Sequence, residues 1–306
     1  GVTTGLNEAF VIDRATRDRL IQEHKSSAEI IKPYLRGRDV KRWRVEPQDL
    51  WLIFTRRGIA IKNYPAILDY LKLFKKELTP GILGGRKPGS YQWYEIQDNI
   101  AYWEEFEQPK VILGRFMNKP IYAYDESGFF HNDALYLIAG ATPFLTAILN
   151  SSVTWYFLTN TSTDLQNGYL QALKQNQMPI PIPAATEIQK ETMGALVNYC
   201  KCVPANLKNK PPNSALWITI IGFLEGLING LVYELFFLDD LHSHKINLFK
   251  HVQEARLPVL ADISEKQRLP RLQEIYERIS NDRHPIRGCL ESLKSLEVVR
   301  IIEGEE

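Results

Sequence analysis

Five basic residues fall within nine positions in Leu35-Arg36-Gly37-Arg38-Asp39-Val40-Lys41-Arg42-Trp43-Arg44. A guanidinium fork can clamp a phosphate or grip O6 and N7 of guanine, and an ammonium supplies a compact charge. The glycine permits close backbone approach. Arg36, Arg38, Lys41, Arg42 and Arg44 are therefore candidate nucleic-acid contacts. The competing reading is a solvated turn in which they pair with Asp39, Glu46 and Asp49. A second basic stretch, Leu83-Gly84-Gly85-Arg86-Lys87-Pro88-Gly89-Ser90-Tyr91-Gln92-Trp93-Tyr94, is rich in glycine and ends in aromatics. Its tip could follow a groove, with Arg86, Lys87 and Gln92 reaching base edges or phosphates while Trp93 and Tyr94 anchor the loop. Its spacing fits neither GxGxxG nor the Walker lysine motif. Arg56, Arg57 and Arg115 complete the candidate set.

Other chemistries are weaker. Asp39-Val40-Lys41 with Asp13 upstream has the residue types of a metal-dependent nuclease core, but the usual acidic partner just upstream on a paired strand is not evident. The six histidines show no zinc spacing, and His242-Ser243-His244 with His251 reads as a solvated helix end. No Ser-His-Asp set or carboxylate pair stands out. No catalytic residue, metal ligand or cofactor site is assigned in this chain.

The elements that must hold these residues differ between the two ends of the sequence. Ala9–Asp13, Trp51–Phe54 and Lys110–Phe116 read as strands. Ile121–Asp125 and Phe129–Ile138 flank Glu126-Ser127-Gly128 as a hairpin. One helix starts near Pro65 and runs to Leu78; another runs from Pro143 through Trp155. Pro179-Ile180-Pro181-Ile182-Pro183 is an extended connector. Beyond it Glu187–Val203, Leu216–Leu238, a helix around Leu269–Ile279 with Pro270 in its first turn, and Pro285–Leu296 are helical. Residues 204–214 read as a linker and Val298–Ile302 as a final strand. The class is α+β: a mixed, largely antiparallel sheet domain over residues 1–183, then a mainly helical one over 184–306.

Leu216–Leu238 raises a membrane question, with Gly222, Gly226 and Gly230 as a small-residue row. Glu225, Asn229 and Glu234 are costly in lipid, and Asp239-Asp240 is an acidic flank. A buried helix, with the glycines admitting a close neighbour, is the better reading.

The chain has 306 residues, 44% of them hydrophobic, and a net charge of +1. The charge is unevenly spread: Lys32–Pro88 holds fourteen Lys/Arg against five Asp/Glu, a local excess of nine, as a docking face would. Three cysteines, no CxxC pair and no secretory signal point to a reducing cytoplasm.

Short motifs occur in a fixed order: Gly1-Val2-Thr3-Thr4-Gly5-Leu6-Asn7-Glu8-Ala9-Phe10-Val11-Ile12-Asp13, Ile31–Val40, Asn63-Tyr64-Pro65, Trp93-Tyr94-Glu95, Pro109-Lys110-Val111-Ile112, Leu149-Asn150-Ser151 and Pro179–Pro183. Together they resemble the TaqI-like C-terminal specificity domain, which follows the methyltransferase domain in adenine-specific DNA methyltransferases and single-chain restriction–modification enzymes. Glu225–Leu235 resembles the helical extension that follows this domain in many of those enzymes.

The resemblance implies double-stranded DNA as partner, a prokaryotic cytoplasm, and an N-terminal methyltransferase domain elsewhere in a parent chain. That domain would bind S-adenosylmethionine and flip the target adenine, with Mg²⁺ needed where the parent also cleaves. This chain lacks the Asn/Asp-Pro-Pro-Tyr/Phe tetrad and a glycine-rich methyl-donor motif. It starts mid-motif by the family pattern and reads as an excised piece, inactive by itself. The expected role is sequence-specific duplex recognition; the alternatives are a helical scaffold for protein partners and, more weakly, a metal-dependent nuclease.

Overall fold

The computed structural model describes residues 1–162, 168–204 and 214–305. It is mixed α/β, with mainly antiparallel sheets and a helical region from residue 187 onward. It divides into two compact units. Gly1–Lys41, Val45–Arg115 and Ala123–Gly140 form the first, and Arg42–Arg44, Phe116–Tyr122 and Ala141–Glu306 the second.

The first unit is built on strands β1 (Val11–Asp13), β2 (Ile31–Leu35), β3 (Leu50–Ile53), β4 (Lys110–Gly114), β6 (Tyr122–Asp125), β7 (Phe130–His131) and β8 (Leu135–Ala139), with β5 (Phe116–Met117) and β9 (Leu170–Gln171) pairing in the second unit. One sheet has the order β1-β3-β2-β7, antiparallel except for β2 with β7. The other has the order β6-β4-β8, with Val111 opposite Ile138. Asp13 ends β1 and caps helix α1 (Arg14–Glu23) by accepting from the Thr16 N–H at 2.8 Å. The core gathers Phe10, Leu20, Leu52, Ile53, Ile67 and Leu71 around Phe106 stacked on Phe130 at 4.7 Å.

Two expectations fail here. The helix from Pro65 stops at Lys72 (α2, Pro65–Lys72), and Lys75–Leu78 is a separate turn. Residues 121–138 form no hairpin: β6 joins one sheet and β7 the other. The cause is Asp125, which accepts from the N–H groups of Ser127 and Phe129 and turns the chain away. That carboxylate is buried and paired with Lys110 Nζ at 2.6 Å, which also donates to the Phe106 carbonyl. Burial pushes the Lys110 pKa down, against the pull of Asp125.

The second unit comprises α3 (Pro143–Leu149), α4 (Ser152–Thr161), α5 (Glu187–Cys202), α6 (Ser214–Phe236), α7 (Leu248–Glu254), α8 (Glu265–Ile279), α9 (Pro285–Leu293) and α10 (Glu297–Glu303), with shorter turns between them. The expected single helix over 143–155 is broken at Asn150-Ser151. Asn150 turns its amide onto the Tyr122 backbone, accepting at 3.1 Å and donating at 2.8 Å, while Ser151 caps the next helix. Residues 141–183 cluster with the helices that follow, α3 packing on α5, so the compact units do not follow a cut at 183/184.

Helix α6 is the one helix, among the described residues, long and apolar enough to cross a membrane. Trp217, Ile220, Leu224, Leu227, Ile228 and Leu231 lie in the helical core. Its Glu225, Asn229 and Glu234 all have hydrogen-bond partners. Of its glycine row, only Gly230 is closely packed; a Cβ at Gly222 or Gly226 would meet nothing within 4 Å.

Val298–Ile302 is helical, not a strand. Val299 and Ile302 sit three apart against the core, and Gly304 closes the helix at φ +72°. Helix α8 starts at Glu265, so Pro270 lies inside it and not in its first turn. The linker expected over 204–214 falls, at 205–213, outside the described residues.

Candidate nucleic-acid interface

Strand β2 delivers the first basic segment to its site. Its end passes into a tight turn, Gly37–Asp39, closed by the Glu46 N–H donating to the Asp39 carbonyl at 2.7 Å. Asp39 is buried and organises this corner. It accepts from the Arg36 N–H at 2.8 Å and from the Arg36 guanidinium at 3.1 and 3.2 Å. Arg36 is thus held in one orientation by a charge-assisted pair. Arg38 is exposed; Lys41 is exposed and donates to the Arg38 carbonyl at 2.6 Å.

Arg36 and Arg38 line two concavities on the first unit. One, of about 530 Å³, is shared with Asn7, Glu8, Tyr34 and Asn132. The other, of about 280 Å³, is shared with Asp39, Lys41, Glu46 and Gln48. Asn132 brings a buried side-chain carbonyl with no hydrogen-bond partner. Tyr34 stays neutral: burial and nearby Asp133 push its hydroxyl up to about 12. Sequence reasoning did not single out Tyr34, Gln48 or Asn132 as site residues. Asn7 and Tyr34 did lie in quoted motifs, which was the only signal available.

The rest of the basic segment turns away from this corner. Within the second unit Arg42 pairs with Glu225 at 3.2 Å and donates to the Asn150 carbonyl at 2.7 Å. Trp43 is buried at φ +76°, a left-handed conformation rare for a bulky residue. It is held by its indole N–H on Glu225 at 2.6 Å and its backbone N–H on the Tyr122 carbonyl at 3.0 Å. Arg44 is half-buried, with its guanidinium 3.5 Å from the Cys200 carbonyl. The half-buried Arg42 and Arg44 guanidinium groups are thus engaged within the helical unit, unlike the exposed side chains of Arg38 and Lys41.

The second basic stretch shows the largest departure. Arg86 is 4% exposed, and its guanidinium donates to the carbonyls of Thr4, Leu78, Gln92, Trp93 and Glu95 at 2.8–3.4 Å. It also stacks over Tyr91 at 4.6 Å. The expectation that Arg86 reaches base edges is corrected: five converging carbonyls make it a buried tether, and burial lowers its pKa. Lys87 and Gln92 are exposed. Arg57 is half-buried on Ser90 and the Gln97 carbonyl, while Arg56 is exposed, 5.4 Å from the Trp103 ring. Arg115 is half-buried near Tyr136, its Nε without a partner.

The two carboxylates of a nuclease reading are engaged structurally, Asp13 as a helix cap and Asp39 on Arg36. The Thr16 N–H holds the Asp13 carboxyl below its usual range. Among the described residues no three His, Cys, Asp or Glu side chains group as metal ligands. The corner can offer cations to phosphate, and donors and acceptors to base edges.

No curated protein matches the chain. Among solved structures it is similar to the type IIL restriction-modification enzyme MmeI, determined in complex with DNA, with a TM-score of 0.50 and 14% identity. The likeness covers 92% of this chain and 35% of that enzyme's, so this chain spans about a third of its length. The model of the TaqI-like C-terminal specificity domain matches residues 32–182, from β2 to the proline connector, leaving the Gly1–Asp13 motif outside. Residues 32–182 thus match the TaqI-like C-terminal specificity domain family.

Proposed function

We propose that this chain binds duplex DNA and reads its sequence as the target-recognition part of a restriction–modification enzyme. The supporting observation is the Arg36–Lys41 corner: one guanidinium fixed by Asp39, two exposed cations, and two concavities lined by Arg36 and Arg38. Lys41 and Arg38 supply the phosphate contacts, while Arg36, Asn7 and Asn132 face base edges. The parent is an adenine-N6 methyltransferase of a prokaryotic cytoplasm, and its N-terminal domain carries S-adenosylmethionine. A nuclease activity, with Mg²⁺, belongs to that upstream part where it exists.

The test is binding of the chain to a random-sequence duplex pool at several low salt concentrations. Arg38→Ala with Lys41→Ala should weaken binding to all sequences alike. Binding that ignores both changes removes this corner from the interface. The chain alone should transfer no methyl group from labelled S-adenosylmethionine, and methylated DNA from it would refute the assignment of catalysis to a separate domain.

A second reading, a helical scaffold for protein partners, draws on one observation. Ala215, Ile218, Thr219, Gly222 and Gly226 leave one face of α6 exposed. Ile218→Glu separates the readings: loss of attachment to the methyltransferase half with DNA binding kept favours the scaffold.

A further inference from the structure

The tip of the second basic stretch has a use that its arginine does not. Leu83 is 98% exposed, the most exposed large apolar side chain among the described residues, and neighbouring Ile82 is 45% exposed. Surface leucines are common, but this one is presented by a built turn. Gly85 N–H donates to the Ile82 carbonyl at 3.0 Å, closing a four-residue turn with Leu83 and Gly84 at its centre. Gly84 has φ +79°, which a type II turn demands at that position. A Cβ at Gly85 would lie 2.2 Å from the Thr79 carbonyl oxygen, so only glycine fits. Below the turn the Gly81 N–H donates to the Arg86 carbonyl at 2.9 Å, and the Arg86 side chain is locked by five carbonyls. The loop is therefore a rigid stalk with an aliphatic apex.

Cations flank the apex in sequence. Lys75 and Lys76 precede it and Lys87 follows, all exposed, against a single acid, Glu77. Two aliphatic side chains offer too little area for a stable protein interface. An aliphatic tip among cations fits a nucleic-acid duplex, where proteins insert leucine or isoleucine between base steps to unstack and kink them. We infer that Leu83 is a wedge that enters the base stack of bound duplex DNA, steadied by Arg86 as a positioning residue. This rests on the DNA-binding reading above and adds the mode of engagement.

The probe is a duplex enriched by this chain from a randomised library, with 2-aminopurine replacing its adenines one at a time. Fluorescence should rise at one step when the chain binds, because an unstacked 2-aminopurine is no longer quenched. Leu83→Ala should return that signal to the level of free duplex, Leu83→Met should keep it, and the slope of affinity with salt should be the same in all three. A fluorescence rise that survives both Leu83→Ala and Leu83→Ser, or no rise on binding, overturns the wedge and leaves DNA recognition standing. Failure of the unaltered chain to bind any duplex at low salt overturns both. Loss of contact with a methyltransferase half in Leu83→Ala, with the DNA signal intact, assigns the tip to a protein partner and also overturns the wedge.

Discussion

Arg86 and Arg38 carry the same charge on the same side chain, yet one is buried and the other exposed. The difference lies in what waits around each: five carbonyls converge on Arg86, whereas water surrounds Arg38. Removing the Arg86 guanidinium strands those carbonyls in an apolar site. Arg86→Met should therefore cost at least about 1–3 kcal/mol of stability, read from urea unfolding. Arg86→Lys should recover only part, since three ammonium donors cannot serve five acceptors. A Met variant as stable as the parent would show that the carbonyls find other partners.

His131 offers a pH test at the same scale. It is buried with its Nδ1 at 3.0 Å from the Asn132 carbonyl, and burial holds its pKa at about 3. The unfolded chain takes up this proton near pH 6.5, the folded chain only near 3. The stability from the neutral ring is thus complete above about pH 6.5 and is lost as pH falls toward 3. The urea midpoint should drop between pH 7 and pH 4. In His131→Asn, which cannot titrate, the drop should be shallower. Parallel curves for the two proteins would remove His131 as its source.

At the scale of elements, the three glycines of α6 look alike in sequence but differ in surroundings. A Cβ at Gly230 would lie 2.5 Å from Leu248 Cδ1 and 3.0 Å from Leu293 Cδ1; one at Gly222 meets nothing. Gly230→Ala should destabilise by about 1–3 kcal/mol through overpacking of α7 and α9. Gly222→Ala should stabilise by up to about 1 kcal/mol, because alanine is the better helix former. Thermal unfolding of the pair checks both signs, and equal shifts would contradict the packing. Most helices were legible from their apolar spacing and caps: α5 and α6 lie within about two residues of expectation. The breaks were not. Asn150 ends α3 through the backbone of Tyr122, and the Asp125 that turns the chain on Ser127 and Phe129 is itself held in place by Lys110. Each partner is fifteen or more residues away, beyond the reach of local periodicity.

For the whole molecule, DNA binding should be governed by exposed cations and not by the full count of arginines. Each phosphate neutralised contributes about −0.9 to the slope of log affinity against log salt. The double change of Arg38 and Lys41 to alanine should flatten the slope by about 2, whereas Arg42→Ala should leave it unchanged. Arg42 already holds Glu225 and the Asn150 carbonyl within the helical unit. A slope flattened by Arg42→Ala would return that residue to the interface.

Sequence alone determined the α+β class, the helical second half, the likeness of residues 32–182 to the specificity-domain family and the basic excess between Lys32 and Pro88. These follow from local periodicity, turn chemistry, motif order and counted charge, which need no coordinates. Tertiary structure decided which charges meet solvent. It turned Arg86 onto Thr4, Leu78 and Glu95, gave Arg42 to Glu225, held Arg36 on Asp39, and left Arg38, Lys41 and Leu83 outside. A guanidinium goes inward wherever enough acceptors converge to replace its water. Those acceptors are mostly backbone carbonyls, whose positions are set by the folded chain and not by the residue types that carry them.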